Sequence, residues 1–358
     1  MSILDNLEAM KKLDADNILG NFQDFPEQVE ECWESWKKIA LPTHYINTKS
    51  VLLLGVGGSG IAAGLAATLT EQSNIPVYIL RDYNIPGWVD KNTLVISLSY
   101  SGNTEETVES LTQTIKKTDK LITISTGGKL ASLGSQHRAL HYQINYGAQP
   151  RAALGYSLVS LLAIFNKLKF LEISDDDIKE TVILMRGLLK RIDADVPTHR
   201  NIAKLMANRT FGKIPVILGS GPLTEVARRW KQDFNENAKS ASYFEVIPEM
   251  NHNSLVGTEF PRDLGKYIFV IILQSNFDHP RNKLRASITA QILTRRRVLY
   301  ETVMLQPAGN IYAEMFQMIL LGDFVTYYLG ILNNVDPSPV EIVNFLKDKL
   351  AEVPFERR

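Results

Sequence analysis

Short apolar runs alternate with longer amphipathic segments over most of this 358-residue chain. Runs rich in Val, Ile and Leu are typical of buried strands, and the segments between them carry apolar residues at helical spacing. Strands that alternate with helices in this way favour parallel sheets with helices on both faces. The pattern therefore predicts an α/β fold with two doubly wound units. Their strands are expected within 50–54, 76–80, 95–98, 120–126 and 132–145 in the first unit, and 215–219, 242–250, 267–275 and 297–305 in the second.

The remaining helical segments divide the chain further. The N-terminal segment has apolar residues at helical spacing, and we expect Trp33 and Trp36 to pack it onto the body. A charged, mostly helical segment separates the two α/β units. The predicted divisions are an N-terminal helical arm (1–40), a first unit (41–173), a helical connection (174–209) and a second unit with C-terminal helices (210–358).

A polar turn follows the third apolar run, in the sequence VISLSYSGNTEE from Val95 to Glu106. Ser99, Ser101 and Thr104 lie where a strand ends and a helix begins. Hydroxyls and free backbone N–H groups at the positive end of a helix form a site for a phosphate group. The alternative is an ordinary hydroxyl cap, with glutamates in the first turn, on a helix that binds nothing. The second unit has no equivalent of this turn, so we expect only the first unit to hold a phosphate.

A glycine-rich turn follows the first apolar run. Gly55, Gly57 and Gly60 satisfy the pattern G-x-G-x-x-G, so an NAD(P)-dependent oxidoreductase is one alternative. The same glycines would let any phosphate or sugar approach the backbone, and Ser59 adds a hydroxyl that a dinucleotide turn does not need. Ligands bind at the carboxyl ends of parallel strands, so we expect this turn and the Ser99–Thr104 turn to share one pocket.

Three further residues are candidates for chemistry. Arg151 follows a proline at a predicted helix start, where it could stabilise an oxyanion or simply be solvated. Glu236 ends the helix predicted over 223–237, away from the buried stripe. The helix dipole disfavours a carboxylate there, which suits a base for a carbon-bound proton, and the alternative is a surface glutamate. His252 follows a strand between two asparagines that could fix its tautomer, although it could equally be an ordinary surface histidine.

The composition of the chain limits which partners the protein is expected to bind and in which compartment it is expected to act. Lys plus Arg and Asp plus Glu both number 39, which argues against nucleic acid or anionic lipid as a partner. The histidines show no spacing typical of metal ligands, so we expect no metal. The single cysteine, Cys32, fits a reducing compartment. We find no targeting peptide and no run of the roughly 20 apolar residues that a membrane span needs, so we expect a soluble, cytoplasmic protein.

Five motifs, taken in order, resemble those of the bifunctional phosphoglucose/phosphomannose isomerases, a family of the sugar isomerase (SIS) domain superfamily. The motifs are GVGGSG at 55–60, SYSGNTEET at 99–107, PRAALG at 150–155, NENAK at 235–239 and PEMNHNS at 248–254. The resemblance covers nearly the whole chain from about residue 40. It implies tandem SIS domains with the active site between them, in a homodimer, without metal or redox cofactor. The implied reaction interconverts glucose 6-phosphate, and also mannose 6-phosphate, with fructose 6-phosphate by proton transfer through an enediolate.

The resemblance also implies which residues bind the substrate. It assigns the phosphate to Ser99, Ser101 and Thr104, and it places Gly58 and Ser59 along the sugar.

It further implies roles in the reaction itself. Arg151 would stabilise the enediolate, Glu236 would move the proton between C1 and C2, and His252, contributed by the partner subunit, would help to open the sugar ring. Lys347 matches a C-terminal lysine of the family that assists at the ring oxygen. By itself Lys347 is one of several solvated lysines, and Lys349 is the alternative.

One departure from the family concerns the sugar epimer. The family's tolerance of both C2 epimers has been tied to a threonine in the C-terminal segment, and no threonine follows Leu329 in this chain. Mannose 6-phosphate is therefore the weaker of the two expected aldose substrates. A non-catalytic sugar-phosphate regulator is a second alternative, but the chain has no appended basic helical domain and carries both Glu236 and His252.

Overall fold

The computed structural model describes residues 2–353 and contains two wholly parallel sheets. The strands are β1 Ser50–Leu54, β2 Val77–Leu80, β3 Thr93–Leu98, β4 Leu121–Ser125, β5 Leu140–Gln143, β6 Ile214–Ser220, β7 Tyr243–Ile247, β8 Ile268–Leu273 and β9 Leu299–Val303. The first sheet has the order β2-β1-β3-β4-β5, and the second has the order β7-β6-β8-β9. Each predicted strand is present, and the predicted α/β class is confirmed.

Helices cover the sheets and fill the space between them. They are α1 Leu7–Leu13, α2 Ile18–Gln23, α3 Phe25–Lys37, α4 Gly57–Leu69, α5 Glu105–Thr114, α6 Gly128–Gln136, α7 Leu154–Lys167, α8 Asp175–Ile192, α9 Ile202–Thr210, α10 Thr224–Glu236, α11 Pro280–Arg295, α12 Ile311–Leu332 and α13 Glu341–Ala351. Short 3-10 turns at Pro150–Ala153 and Glu249–His252 contain two of the predicted site residues, Arg151 and His252.

The central strands are apolar because both of their faces are covered. Every residue of β3, from Thr93 to Leu98, is buried, as is usual for a strand in a parallel sheet with helices on both sides. In the register of β1 and β3, Leu54 pairs with Ser97. The two strands therefore end side by side, and the glycine turn and the polar turn emerge at the same edge of the sheet.

The N-terminal arm packs onto the body through its tryptophans, as predicted. Trp36 is fully buried and its Nε1 donates to Ser160 Oγ over 2.8 Å. Trp33 Nε1 donates to Asp175 Oδ1 over 2.8 Å. One continuous apolar cluster extends from this arm through the helices between the two sheets.

Helix α12 lies within that apolar cluster. It is long and apolar enough to cross a membrane, with a mean hydropathy of 1.5, so our expectation that no such segment exists was wrong. The structure buries 94% of its most apolar window inside the protein, and α8, α9 and α10 pack against it. Its composition is thus that of a core helix. The segment that we predicted as a connection supplies α8 and α9 to the same core.

Candidate active site

The polar turn after β3 brings two of its hydroxyls together. Ser99 Oγ lies 2.8 Å from Thr104 Oγ1, and Ser99 is 1% exposed. Thr104 occupies the N-cap position of α5 without a side-chain capping bond, because its hydroxyl faces Ser99. Ser101 is exposed and its Oγ accepts a hydrogen bond from the backbone N–H of Asn103 over 3.2 Å. This geometry differs from the ordinary cap that we considered as the alternative.

Gly102 makes this turn possible. Its φ is +70°, a conformation that glycine adopts freely, and a Cβ atom there would collide with the carbonyl oxygen of Gly127. The turn after β3 therefore packs directly against the backbone of the turn after β4. The N–H of Leu130, in the first turn of α6, donates to the Gly102 carbonyl over 2.9 Å. These contacts hold the hydroxyls of the turn in place.

Tyr100 connects the polar turn to the loop that carries Arg151. Its hydroxyl donates to the carbonyl of Tyr146 and accepts a hydrogen bond from the N–H of Ala148 over 2.9 Å. The glycine turn lies against the same loop, because a Cβ atom on Gly58 would be 3.7 Å from the backbone N and Cα of Arg151. The structure thus brings the two predicted turns to one edge and places Arg151 beside them.

Arg151 is buried, contrary to the solvated alternative, and is only 3% exposed. Its Nε donates to Asn237 Oδ1 over 2.7 Å, and its Nη2 donates to the carbonyls of Pro337 and Ser338 over 2.7 and 2.8 Å. Its Nη1 lies 3.4 Å from Glu236 Oε2. Burial lowers the pKa of the guanidinium, and the nearby Glu236 opposes that effect. Because a guanidinium has five N–H groups, these partners leave one N–H on Nη1 for a further acceptor.

A second buried arginine, Arg229, binds the backbone of Arg151. Arg229 Nη2 donates to the carbonyl of Arg151 and to Asp323 Oδ1, each over 2.8 Å. Its Nε lies 2.7 Å from Asp233 Oδ2. Burial raises the pKa of the Asp233 carboxyl well above its usual range, although Arg229 opposes the effect. Arg229 thus binds the backbone of Arg151, whose side chain is held by Asn237 and the 337–338 carbonyls.

Glu236 ends α10 where the helix reaches solvent. The stripe of Val226, Trp230 and Phe234 is fully buried, as the spacing predicted, whereas the Glu236 side chain is 35% exposed. Its carboxylate is therefore accessible on a helix whose apolar stripe is packed into the core. That is the position required of a general base.

His252 lies elsewhere in this chain. It is exposed at the end of the Glu249–His252 turn that follows β7. Asn251 Nδ2 donates to Thr289 Oγ1 over 2.9 Å, and Asn253 Nδ2 donates to Glu249 Oε1 over 2.8 Å. Both Nδ2 groups thus bond to residues other than His252, and Asn251 Oδ1 has no partner among the described residues, so our interpretation that the asparagines fix the tautomer of His252 stays a prediction. Between residues 2 and 353, His252 makes no hydrogen bond or ion pair with the Arg151–Glu236 pair.

Lys347 lies on α13. Residues 341–350, which include almost all of this helix, are solvent-exposed, and among the described residues Lys347 has no hydrogen bond or ion pair with Arg151 or Glu236. The alternative residue, Lys349, donates to Glu352 Oε1 over 2.7 Å.

Four residues at the site were missed by the sequence reasoning. Asn237 and Lys239 lie in the motif that contains Glu236, so their spacing was a usable signal. Pro337 and Ser338 contribute backbone carbonyls, which carry no side-chain signature. The described residues contain no group of three or more His, Cys, Asp or Glu side chains that could hold a metal ion.

Two tandem domain matches define the class of protein to which this fold and site belong. A model of the SIS domain matches residues 44–168, and a model of the bacterial phospho-glucose isomerase C-terminal SIS domain matches residues 199–350. The chain therefore contains two SIS domains.

Full-length relatives identify the family. A bifunctional phosphoglucose/phosphomannose isomerase from Caldicellulosiruptor bescii is 40% identical over 92% of this chain and 98% of its own length. A protein of the same name from Aquifex aeolicus is 32% identical over 89% of this chain and 94% of its own length. The chain belongs to the bifunctional phosphoglucose/phosphomannose isomerase family, and it is an isomerase. This membership assigns the glycine turn to an isomerase rather than to an oxidoreductase.

A solved structure shows the same fold. A hypothetical protein from Thermus thermophilus superimposes with a TM-score of 0.72 at 19% identity, covering 96% of this chain and 94% of its own.

Proposed function

We propose that the protein interconverts glucose 6-phosphate, and also mannose 6-phosphate, with fructose 6-phosphate through an enediolate. The observation that carries this proposal is the pairing of Glu236 with Arg151, whose Oε2 and Nη1 atoms are 3.4 Å apart. Glu236 is the base that moves the proton between C1 and C2. Arg151 offers its remaining N–H to the oxyanion of the enediolate, as a preorganised donor in a buried setting.

The polar turn after β3 is the proposed anchor for the phosphate. Ser99, Ser101 and Thr104 bind its oxygens, while Gly58 and Ser59 line the sugar. Binding energy from a phosphate that does not react can hold the reacting carbons against the base. Because Tyr100 joins this turn to the loop of Arg151, the anchor and the oxyanion donor keep a fixed separation.

A homodimer would complete the site. We propose that the partner subunit supplies His252 for ring opening and that Lys347 assists at the ring oxygen. Both residues are exposed, and among the described residues neither has a hydrogen bond or ion pair with Arg151 or Glu236, which leaves them available to a site shared between subunits. Helix α13 offers a surface for the second copy, since Ile342, Phe345 and Leu346 are 77%, 59% and 57% exposed.

Ser338 supports the use of both epimers. It is fully buried, its carbonyl binds Arg151, and among residues 2–353 its hydroxyl has no hydrogen-bond partner. We propose that this hydroxyl takes the part of the threonine that this C-terminal segment lacks, and so contacts the sugar near C2.

The setting of the enzyme is proposed on the same basis. The substrates place it in glycolysis and gluconeogenesis, and the single buried cysteine fits a reducing, cytoplasmic location. Our division into an arm, two SIS domains bounded by 41–173 and 210–358, and a helical connection also stays a proposal.

A single assay tests the reaction. Fructose 6-phosphate formation is followed with glucose 6-phosphate and mannose 6-phosphate in parallel, and turnover of either supports the proposal. Inactivity on both, with sugar-phosphate binding retained, would instead indicate a regulator. A parallel titration with NAD(P) tests the oxidoreductase alternative. An oxidoreductase must bind NAD(P), so absence of binding would exclude it.

A further inference from the structure

Lys239 follows α10 in an unusual backbone conformation. Its φ is +54°, in the left-handed region where helices most often place glycine after their last turn. The lysine side chain folds back over the helix end, where its Nζ donates to the carbonyl of Glu236. A side chain in place of glycine at a strained position beside a functional group points to a role for that side chain.

The same ammonium group reaches the segment that holds Arg151. Lys239 Nζ donates to the Pro337 carbonyl over 3.0 Å, and this oxygen also accepts from Arg151 Nη2 over 2.7 Å. Lys239 therefore ties the end of the helix that bears Glu236 to the carbonyls that orient Arg151. Arg151 itself also donates to both segments, so Lys239 is a second cationic bridge between them.

Four charged groups surround the lysine. Glu236 on α10, Asp336 in the loop before α13, and Glu341 on α13 favour its protonated form, whereas Arg151 disfavours it. Lys239 is exposed over part of its side chain, but partial desolvation of its ammonium group and the positive charge of Arg151 lower its pKa to about 8. The ammonium form is therefore present at neutral pH and is lost at mildly alkaline pH.

We propose that Lys239 is a positioning residue for the isomerisation. Its ammonium group keeps the Glu236 carboxylate and the Arg151 guanidinium at a fixed distance and orientation relative to each other. This inference rests on the proposed roles of Glu236 and Arg151. The neutral amine is a weaker donor to the two carbonyls than the ammonium form is. The rate therefore falls when Lys239 loses its proton, while the affinity for the phosphate group, which binds on another turn, changes little.

Three variants test the proposal. Lys239→Gly removes the side chain but suits the local backbone, so its melting temperature should equal or exceed that of the wild-type protein. Its kcat should fall about 10- to 100-fold at neutral pH, with KM changed much less, because misplaced reacting groups lose rate. Lys239→Arg keeps a permanent charge, and its kcat should lack the decline near pH 8 that the wild-type enzyme shows. Lys169→Gly makes the same change at an exposed position with a φ of +61°, far from the site, and should leave kcat unchanged.

A wild-type kcat and a wild-type pH profile in stable Lys239→Gly would overturn the proposal. A second measurement does not depend on activity. In protein reductively methylated with ¹³C, one lysine resonance should titrate near pH 8 and be absent from Lys239→Arg. Absence of that resonance refutes the pH dependence assigned to Lys239, whereas an inactive wild-type enzyme that shows it refutes only the roles of Glu236 and Arg151.

Discussion

Arg151 Nε and Asn237 Oδ1 are joined by a 2.7 Å hydrogen bond between two buried side chains. The amide of Asn237 is oriented by a second bond, in which its Nδ2 donates to Thr326 Oγ1 over 3.0 Å. Thr326 in turn donates to the Gly322 carbonyl one turn earlier on α12. The direction of the Arg151 guanidinium is thus set by the core helix, through one asparagine.

The first prediction concerns this asparagine. Asn237→Ala leaves the Nε of Arg151 buried without its acceptor, and an unsatisfied buried donor costs about 1 to 3 kcal/mol. We expect unfolding in urea to report a loss of that size and kcat to fall, since Arg151 can rotate away from the substrate. Asn208→Ala is the matched control, because Asn208 bonds only to a carbonyl of its own helix α9. An unchanged kcat in Asn237→Ala would contradict the role assigned to the pair.

The second prediction concerns the base. Glu236→Gln keeps the size and most contacts of the side chain but cannot accept the proton from carbon. We expect the variant to bind sugar phosphate normally and to lose exchange of the C2 proton with solvent, measured by NMR in deuterated water. Glu71→Gln, at an exposed position after α4, should exchange at the wild-type rate. Retained exchange in Glu236→Gln would place the base elsewhere.

The sequence was most informative where burial is strongest. Strands such as β3 are covered on both faces, so their apolar runs were visible, and so was the stripe of Val226, Trp230 and Phe234 that turns Glu236 outward. The contacts that orient Arg151 were not visible. Two of them are backbone carbonyls that lie 186 and 187 residues further along the chain, and a carbonyl has no side-chain pattern to recognise.

The asparagines on either side of His252 illustrate a second limit. A side-chain amide can bond to any donor or acceptor within reach, so adjacency to His252 did not determine its partners. In the structure, Asn251 Nδ2 bonds to Thr289 and Asn253 Nδ2 bonds to Glu249. Local sequence therefore indicated a candidate histidine but not its surroundings.

The third prediction concerns the phosphate turn. Ser99→Ala removes the hydroxyl that lies 2.8 Å from Thr104 Oγ1. A hydrogen bond to a charged group contributes about 1.5 to 3 kcal/mol, so KM for the sugar phosphate should rise roughly 10- to 100-fold, with kcat less affected. Ser132→Ala on the exposed face of α6 is the control and should leave KM unchanged. If KM of the Ser99→Ala variant is also unchanged, the result would argue against a phosphate at this turn.

The fourth prediction concerns the choice of epimer. Ser338→Ala removes a buried hydroxyl that has no partner in the described part of the chain, so stability should change little. If that hydroxyl contacts the sugar near C2, the ratio of mannose 6-phosphate to glucose 6-phosphate activity should fall. Parallel measurements of kcat/KM for the two substrates check this expectation. Ser157→Ala, a buried serine on α7, should preserve the ratio, and preservation in Ser338→Ala would exclude the contact.

The last prediction concerns the surface of α13. Leu346 is 57% exposed on a helix that also exposes Ile342 and Phe345, and burying such a set against a second copy would stabilise the dimer by removing apolar area from water. If the proposed dimer forms through α13, Leu346→Glu should give a monomer by light scattering and lose isomerase activity, because the proposal takes His252 from the partner subunit. Ile183→Glu introduces the same charge at a position on α8 that is 66% exposed, and it should stay dimeric and active. An active monomer of Leu346→Glu would show that one chain holds the whole site.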